Sequence, residues 1–284
     1  MRNRDEFQLF MINLIYLDLH YICSMHLYYP ISILMLVLFS CGEYSRDEHK
    51  TPEVVKIVNK KKPEKLKKEK AKNFITNDNV VARLIDYGKK NPETIADIFT
   101  TKGKIRIRLY NDTPLHRANF ILMAKKKYFD GTIFTRVKKG FIAQGGGAYD
   151  EKNTKIRGNI GKYTIPAEFL KKRFHKQGAI AAARRYEDNP EKRSDQSAFC
   201  FVEGTIFNEF TLDQYEEING YHYDQAQRTY YLNHPGAAHI DGEHTVFGEI
   251  INGYSVVPKI TEVHTDSKDW PKEDIFIDSV IIIK

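Results

Sequence analysis

The chain is poor in cysteine and tryptophan, with three Cys and one Trp among 284 residues. Cys23 and Cys41 belong to an apolar N-terminal segment, so Cys200 is the single thiol of the remaining chain. A lone cysteine cannot form an intramolecular disulfide. The run around it, "SAFCFV", is apolar and typical of a strand, which predicts a buried, inert thiol rather than a nucleophile.

Outside one segment, the chain also lacks any bias of charge. Its formal net charge of +7 comes from 44 basic and 37 acidic residues. Residues 50–72 hold ten Lys and three Glu, which accounts for the whole excess. A solvated, self-repelling linker is the favoured interpretation, so no nucleic acid partner is expected. A basic tail that recruits nucleic acid is the alternative.

The N-terminal segment lacks a long uninterrupted apolar run. Its apolar block, residues 31–39, is too short to span a bilayer comfortably. The "LFSC" that ends at Cys41 resembles the lipobox of bacterial lipoproteins, whose cysteine is acylated after cleavage. We therefore predict a signal peptide with a lipobox over residues 1–41 and lipidation of Cys41. The protein would then be an exported, membrane-anchored lipoprotein of the periplasm or outer membrane; an uncleaved anchor is the alternative.

The rest of the chain divides into three parts. Residues 42–77 form the charged, Lys-rich linker. Residues 78–93 have apolar positions at helical spacing that stop at Gly88, which predicts a short amphipathic helix. From residue 94 to 284 the apolar period shortens to two in several segments, which is typical of strands in one domain.

This domain is expected to hold eight strands and two helices. The strands, in order, are "TIADIFT", "KIRIRLY", "IFTRV", "FIAQGG", "GAIAAA", "SAFCFV", "TVFGEI" and "IFIDSVIII". Thr113 as N-cap with Pro114 behind it predicts the start of one helix, and Pro258 lies in the opening turn of the other. We expect a mainly β fold: a closed eight-stranded antiparallel barrel capped by two helices.

Residues 203–236 interrupt the pattern and predict a helical insertion. Capping-box spacing marks two helix starts, Thr211 with Gln214 and Asp224 with Gln227. We expect the first of these helices to turn Leu212, Tyr215 and Ile218 inward.

Two segments carry candidate functional residues. "FTRVKKGFIAQGGG" sets Arg136 and Gln144 among apolar residues and ends in three glycines. These glycines lack the Lys and Ser/Thr of a phosphate loop, so a tight turn is expected. "HPGAAHIDGEH" spaces three histidines five apart, which suggests a metal site. Its Gly and Pro predict a loop without fixed geometry, however, so we expect no metal.

These segments resemble the signatures of the cyclophilins, the barrel-type peptidyl-prolyl isomerases. "FDGTIFTRVKKGFIAQGG" and "IDGEHTVFGEI" follow "YNDTPLHRANF" in the family's order, and the resemblance covers about residues 94–284. The insertion and the closing "EVHTDSKDWPKED" resemble exported cyclophilins of some Gram-negative bacteria. The resemblance implies a monomeric peptidyl-prolyl cis-trans isomerase that needs no cofactor. Its substrates would be proline-containing peptides and unfolded or exported proteins.

The resemblance also implies roles for individual residues. Arg136 matches the catalytic arginine. Gln144 matches the amide that hydrogen-bonds the substrate backbone, with a purely structural amide as the alternative. The implied substrate-binding positions are Phe141, Ile142, Ala198, Cys200, Ile240 and His244.

The chain departs from the family pattern on one side of this groove. Ala198 stands where the family usually has Gln, and Cys200 where it has an aromatic wall. Arg184 replaces a common Asn whose backbone holds substrate, and His239 replaces a Trp. These changes favour an alternative function, a cyclophilin-like peptide-binding module or chaperone with little isomerase activity.

Arg136 is chemically suited to the isomerase reaction. Rotation about an X–Pro bond faces a barrier of about 18–20 kcal/mol, because amide resonance is lost. The twisted prolyl nitrogen gains a lone pair that a guanidinium can hydrogen-bond, and the planar ground state offers no such acceptor. We expect the Arg136 head to meet substrate rather than a fixed acidic partner.

Overall fold

The computed structural model describes residues 74–283. The predicted signal peptide, the lipidation site Cys41 and most of the predicted linker lie outside these residues. In the described part of the chain, no helix combines the length and apolarity needed to cross a membrane.

Within residues 74–283 the chain forms eleven strands, six α-helices and one 3-10 turn, Ala238–Ile240. The strands are β1 (Ile75–Thr76), β2 (Ile95–Thr100), β3 (Gly103–Leu109), β4 (Thr132–Ile133), β5 (Arg136–Lys138), β6 (Ile142–Gly145), β7 (Gly161–Lys162), β8 (Ala179–Ala182), β9 (Phe199–Val202), β10 (Val246–Asn252) and β11 (Phe276–Ile283). The helices are α1 (Val80–Lys90), α2 (Pro114–Lys125), α3 (Glu151–Ile160), α4 (Glu209–Asn219), α5 (Gln225–Asn233) and α6 (Val256–Thr261).

Nine strands form one antiparallel sheet in the order β4-β11-β2-β3-β10-β8-β9-β6-β5. The first two predicted strands, β2 and β3, pair as a hairpin with Thr100 opposite Gly103. The two edge strands, β4 and β5, are separated by only two residues of chain, so the sheet must curl to bring its edges together. It forms a half-barrel around a core to which β3 contributes Ile105, Ile107 and Leu109.

The expected closed eight-stranded barrel is therefore wrong. The segment predicted as one strand, "IFTRV", is divided between β4, which pairs with β11, and β5, which pairs with β6. The Phe134 N–H donates to the Ile275 carbonyl at 3.0 Å, and the Thr135 N–H donates to the Gln144 carbonyl at 2.9 Å. The chain thus changes its hydrogen-bonding partner between these residues, which produces nine strands and leaves two edges.

The start of α2 is capped from a distance. Thr113 is the N-cap residue, as predicted, but its side chain makes no capping hydrogen bond. Instead, the Glu168 carboxylate accepts hydrogen bonds from the N–H groups of Leu115 and His116, both at 3.0 Å. Glu168 also accepts from His116 Nδ1 at 2.6 Å, and His116 Nε2 lies 2.9 Å from Ser194 Oγ. This buried network ties α2 to two loops.

The elements before and beside the sheet differ from expectation in three places. Gly88 does not end α1, which continues to Lys90. It lies so close to α2 that a Cβ atom there would be 3.2 Å from Ala118 Cβ. Ile75 and Thr76, at the end of the predicted linker, pair with β7. Helix α3 was not predicted, and the Asp150 side chain caps it.

The insertion consists of α4 and α5. The predicted capping box of Asp224 with Gln227 is confirmed at the start of α5. The one proposed at Thr211 is wrong, because α4 starts earlier and Asn208 accepts the Thr211 N–H. Leu212 is buried, as expected, whereas Ile218 is 55% exposed and does not face inward.

Candidate peptide-binding groove

Three adjacent strands set the polar residues of the site in one row. Arg136 on β5 lies directly opposite Gln144 on β6, and Gln144 lies opposite Cys200 on β9. Directly paired residues of neighbouring antiparallel strands point to the same face of a sheet. The sheet register therefore brings together side chains from distant parts of the sequence.

Apolar side chains surround this row. Ile142, Ala183 and Cys200 form a small buried cluster, and the partly exposed Phe141 and Ala198 pack against it. Phe141 also packs against a second cluster, which contains Ile240. All six implied substrate-binding positions except His244 thus belong to two apolar clusters that Phe141 connects.

Arg136 has a fixed acidic partner, contrary to our expectation. Its Nε donates a hydrogen bond to Asp269 Oδ2 at 3.1 Å. The loop that carries Asp269 is held beside β5 because the Asp269 carbonyl accepts a hydrogen bond from the Val137 N–H at 2.8 Å. The guanidinium carbon lies 5.9 Å from the centre of the Phe141 ring. The ion pair uses Nε, so the two terminal amino groups are not part of it.

Gln144 and Cys200 contact each other only weakly. Cys200 Sγ lies 3.7 Å from Gln144 Oε1, and Gln144 Nε2 lies 3.5 Å from Thr135 Oγ1. These long contacts leave the amide able to exchange its partners for a peptide backbone. Burial raises the pKa of the Cys200 thiol to about 12, although Arg136 opposes the shift. The thiol is therefore neutral at physiological pH, as a buried, inert cysteine should be.

His244 is a neutral imidazole of known tautomer. Its Nδ1 lies 2.9 Å from the Ala182 carbonyl, which can only accept, so Nδ1 carries the proton. Its Nε2 then accepts from the Tyr186 hydroxyl at 2.8 Å. Desolvation, with a smaller effect of nearby His175, lowers the pKa of His244 to about 4. His244 thus offers a polar, uncharged edge at physiological pH.

Arg184, at the position of the family's Asn, is engaged in its own network. It forms an ion pair with Glu243 and donates from Nε to the Glu243 carbonyl at 2.7 Å. Lys192 pairs with the same carboxylate at 2.6 Å. The guanidinium also lies 3.9 Å from the centre of the Tyr186 ring, and Tyr186 is 63% exposed. Arg184 therefore holds the aromatic side chain that contacts His244.

Sequence reasoning missed Asp269, Tyr186 and Glu243 as neighbours of the site. Asp269 is 133 positions from Arg136, and Tyr186 is 58 from His244. Nothing local in the "EVHTDSKDWPKED" segment identifies one of its Asp residues as the partner of Arg136.

The three histidines of "HPGAAHIDGEH" have separate neighbours. The His234 ring stacks on Tyr230 at 4.9 Å, and the His239 ring lies 4.6 Å from Phe141. His244 is bonded to Ala182 and Tyr186. Within residues 74–283, no group of three or more His, Cys, Asp or Glu residues could hold a metal ion.

The fold and site define a sheet protein in which a guanidinium and an amide on adjacent strands lie beside two apolar clusters. Residues 95–282 match the family model "Cyclophilin type peptidyl-prolyl cis-trans isomerase/CLD", so the chain belongs to this family.

Two curated relatives are named as peptidyl-prolyl cis-trans isomerases. A putative peptidyl-prolyl cis-trans isomerase of Staphylococcus saprophyticus is 30% identical over 187 residues, 65% of this chain and 89% of that protein. A putative bifunctional phosphatase/peptidyl-prolyl cis-trans isomerase of Streptococcus pyogenes is 29% identical over 64% of this chain, which spans only 37% of that protein. A crystal structure of a Cryptosporidium parvum cyclophilin type isomerase covers 68% of this chain and 98% of that one, with 20% identity and a TM-score of 0.48.

Proposed function

We propose that the chain catalyses cis-trans isomerisation of X–Pro bonds in exported or unfolded proteins, with Arg136 stabilising the twisted amide. The observation that carries this proposal is the row of Arg136 and Gln144 beside the apolar side chains of Phe141, Ile142 and Ile240. Apolar walls hold the pyrrolidine ring. The Gln144 amide holds the peptide backbone on the other side of the bond that rotates.

Arg136 acts on the prolyl nitrogen. A proline ring packed on Phe141 lies within reach of a guanidinium whose carbon is 5.9 Å from the Phe141 ring centre. As the amide twists, its nitrogen becomes pyramidal and accepts a hydrogen bond that the planar form cannot accept. Such an interaction stabilises the transition state and not the ground state, so it increases kcat. Arginine remains charged at any working pH.

Asp269 orients this donor. Because it bonds Nε at 3.1 Å, it limits rotation of the guanidinium about the end of its long side chain. The side chains of Arg136 and Asp269 are 42% and 28% exposed, so this ion pair contributes little to the stability of the fold. We assign Asp269 a positioning role and expect it to matter for rate rather than for folding.

The test is isomerase activity of the purified chain on a short Ala-Pro peptide, measured by NMR exchange or by a protease-coupled assay. We expect exchange to be accelerated in proportion to protein concentration and to be lost with Arg136→Ala. Peptide binding without acceleration would favour the alternative, a binding module or chaperone. The small or neutral side chains of Ala198 and Cys200 are the observation behind that alternative.

Export and lipid anchoring remain part of the proposal. Their support is the sequence of residues 1–41 and the Cys41 position within "LFSC". A membrane-held isomerase would act on chains that emerge from a translocation channel, where slow prolyl isomerisation limits folding.

A further inference from the structure

An aromatic band leads from the proline pocket to the insertion. The Phe141 ring centre lies 4.6 Å from that of His239, and His239 lies 5.7 Å from Tyr215 on α4. All three residues are partly exposed. Each of the three rings therefore presents part of its surface to solvent, beside the Phe141 side chain of the proposed proline pocket.

The insertion is fixed to the loop that carries His239. Asn219 Nδ2 donates to the His239 carbonyl at 2.8 Å, and the Tyr223 hydroxyl donates to the Ala238 carbonyl at 2.7 Å. The buried Tyr231 hydroxyl donates to Asp241 Oδ2 at 2.5 Å. These bonds join both insertion helices to one short stretch of the groove wall. Tyr215 thus has a defined position relative to Phe141.

The middle member of the band has no charge at physiological pH. Desolvation is the main cause that lowers the pKa of His239 to about 4, and His175 and two nearby cations add to the effect. A neutral imidazole between two aromatic rings presents a flat, weakly polar surface. Aromatic side chains pack well on such surfaces, in tilted or edge-to-face geometries.

We propose that Phe141, His239 and Tyr215 form a second subsite of the peptide groove, which takes an aromatic or large apolar side chain of the same substrate. The insertion then determines specificity by supplying Tyr215. This inference depends on the proposed isomerase function and names its preferred substrates. The band extends about 10 Å from Phe141 at most, which corresponds to two or three residues of extended peptide.

The experiment compares single-Phe peptides with an all-alanine X–Pro peptide, with Phe placed at each of three positions on either side of the proline. We expect one position, two or three residues away, to raise kcat/KM about twofold to tenfold, the value of one aromatic contact. In Tyr215→Ala, the ratio of Phe-peptide to alanine-peptide kcat/KM should fall to about one. Tyr215→Gln removes the ring but keeps a polar side chain that favours a helix. It should lower the ratio equally, so it carries the test if the alanine variant misfolds.

Phe210→Ala is the matched control. Phe210 lies on the same helix and is 65% exposed, and we expect its removal to leave the ratio unchanged. The inference would be overturned if the active enzyme had the same kcat/KM for every single-Phe peptide and the alanine peptide. It would also be overturned if a preference for Phe persisted in both Tyr215 variants. No activity on any peptide would instead refute the proposed function.

Discussion

Replacing Arg136 by alanine should affect catalysis and stability very differently. A donor aimed at transition-state charge contributes about 2.7–4 kcal/mol, which corresponds to about 10²–10³ in rate. The contacts that Arg136 makes in the folded protein are an exposed ion pair and a distant aromatic ring. Together they contribute at most about 2 kcal/mol, or about 4–8 °C in melting temperature. We therefore expect kcat/KM of Arg136→Ala to fall 10²–10³-fold in a nearly intact protein.

Arg106 provides a matched control for this substitution. It is an arginine on β3 whose side chain is 41% exposed, close to the 42% of Arg136, and it also pairs with an aspartate, Asp97. The Arg106 hydrogen bonds are the main reason that the pKa of Asp97 falls to about 2. Arg106→Ala should lower the melting temperature and leave kcat/KM unchanged, because its ion pair lies outside the groove.

Two further substitutions separate charge from orientation. Arg136→Lys keeps the charge but loses the planar fork, so it should restore little activity. Asp269→Ala should lower kcat several-fold with little change in KM, because it removes the carboxylate that accepts from Arg136 Nε and orients it. Thermal unfolding, with NMR exchange on one Ala-Pro peptide, measures both effects.

Near-normal turnover in Arg136→Ala would show that the arginine is not catalytic. A collapse of stability with full activity per folded molecule would make it a structural residue. In the second case the groove residues would be evidence for the fold alone.

Four other outcomes can be tested independently. If Cys41 is acylated, the native protein should partition into detergent, and the Cys41→Ala variant should accumulate unprocessed or be released from the membrane. The same processed, membrane-bound product from the wild type and the variant would exclude lipidation. His239 and His244 have pKa values near 4, below the unfolded value of about 6.5. The unfolded state therefore binds their protons first, so the free energy of unfolding should decrease as pH falls from 6.5 to 4; a flat urea-midpoint profile over that window would contradict this. Cys200, with a pKa of about 12, should resist iodoacetamide at pH 8 until the protein is denatured, as peptide mapping would reveal. Glu168→Ala leaves three buried donors unpaired and should cost about 3–5 kcal/mol of stability; a loss below 1 kcal/mol would mean that the α2 cap is unimportant.

The sequence was most informative where structure depends on neighbours along the chain. Alternating apolar residues predicted the strands, and Thr113 with Pro114 located the start of α2. The Asp224–Gln227 capping box located the start of α5 for the same reason, since it is complete within four residues. Each of these signals is local: an apolar period, a capping box, or a proline that fixes the backbone of the first helical turn.

Contacts between distant residues left no such signal. The Glu168 cap of α2 spans 53 positions, and the pairing of Arg136 with Asp269 spans 133. The predicted strand "IFTRV" is divided because the residues before Phe134 pair with β11, whereas those from Arg136 onward pair with β6. A sequence pattern reveals neither Asp269 as the partner of Arg136 nor the change of strand partner at Phe134. For this reason the sequence predicts a closed barrel and an unpaired Arg136.

The altered positions of the groove bear on the choice between an enzyme and a binding module. Ala198 and Cys200 lie at or beside β9, and Arg184 follows β8, whereas Arg136 and Gln144 lie on β5 and β6. Losing contacts that hold substrate and transition state equally raises KM and leaves kcat intact. Because Arg136, the proposed donor to the twisted nitrogen, is on the unaltered side, we expect an enzyme with high KM and ordinary kcat. A binding module would show the reverse, saturable peptide binding without turnover, and full progress curves over a wide range of peptide concentration distinguish the two.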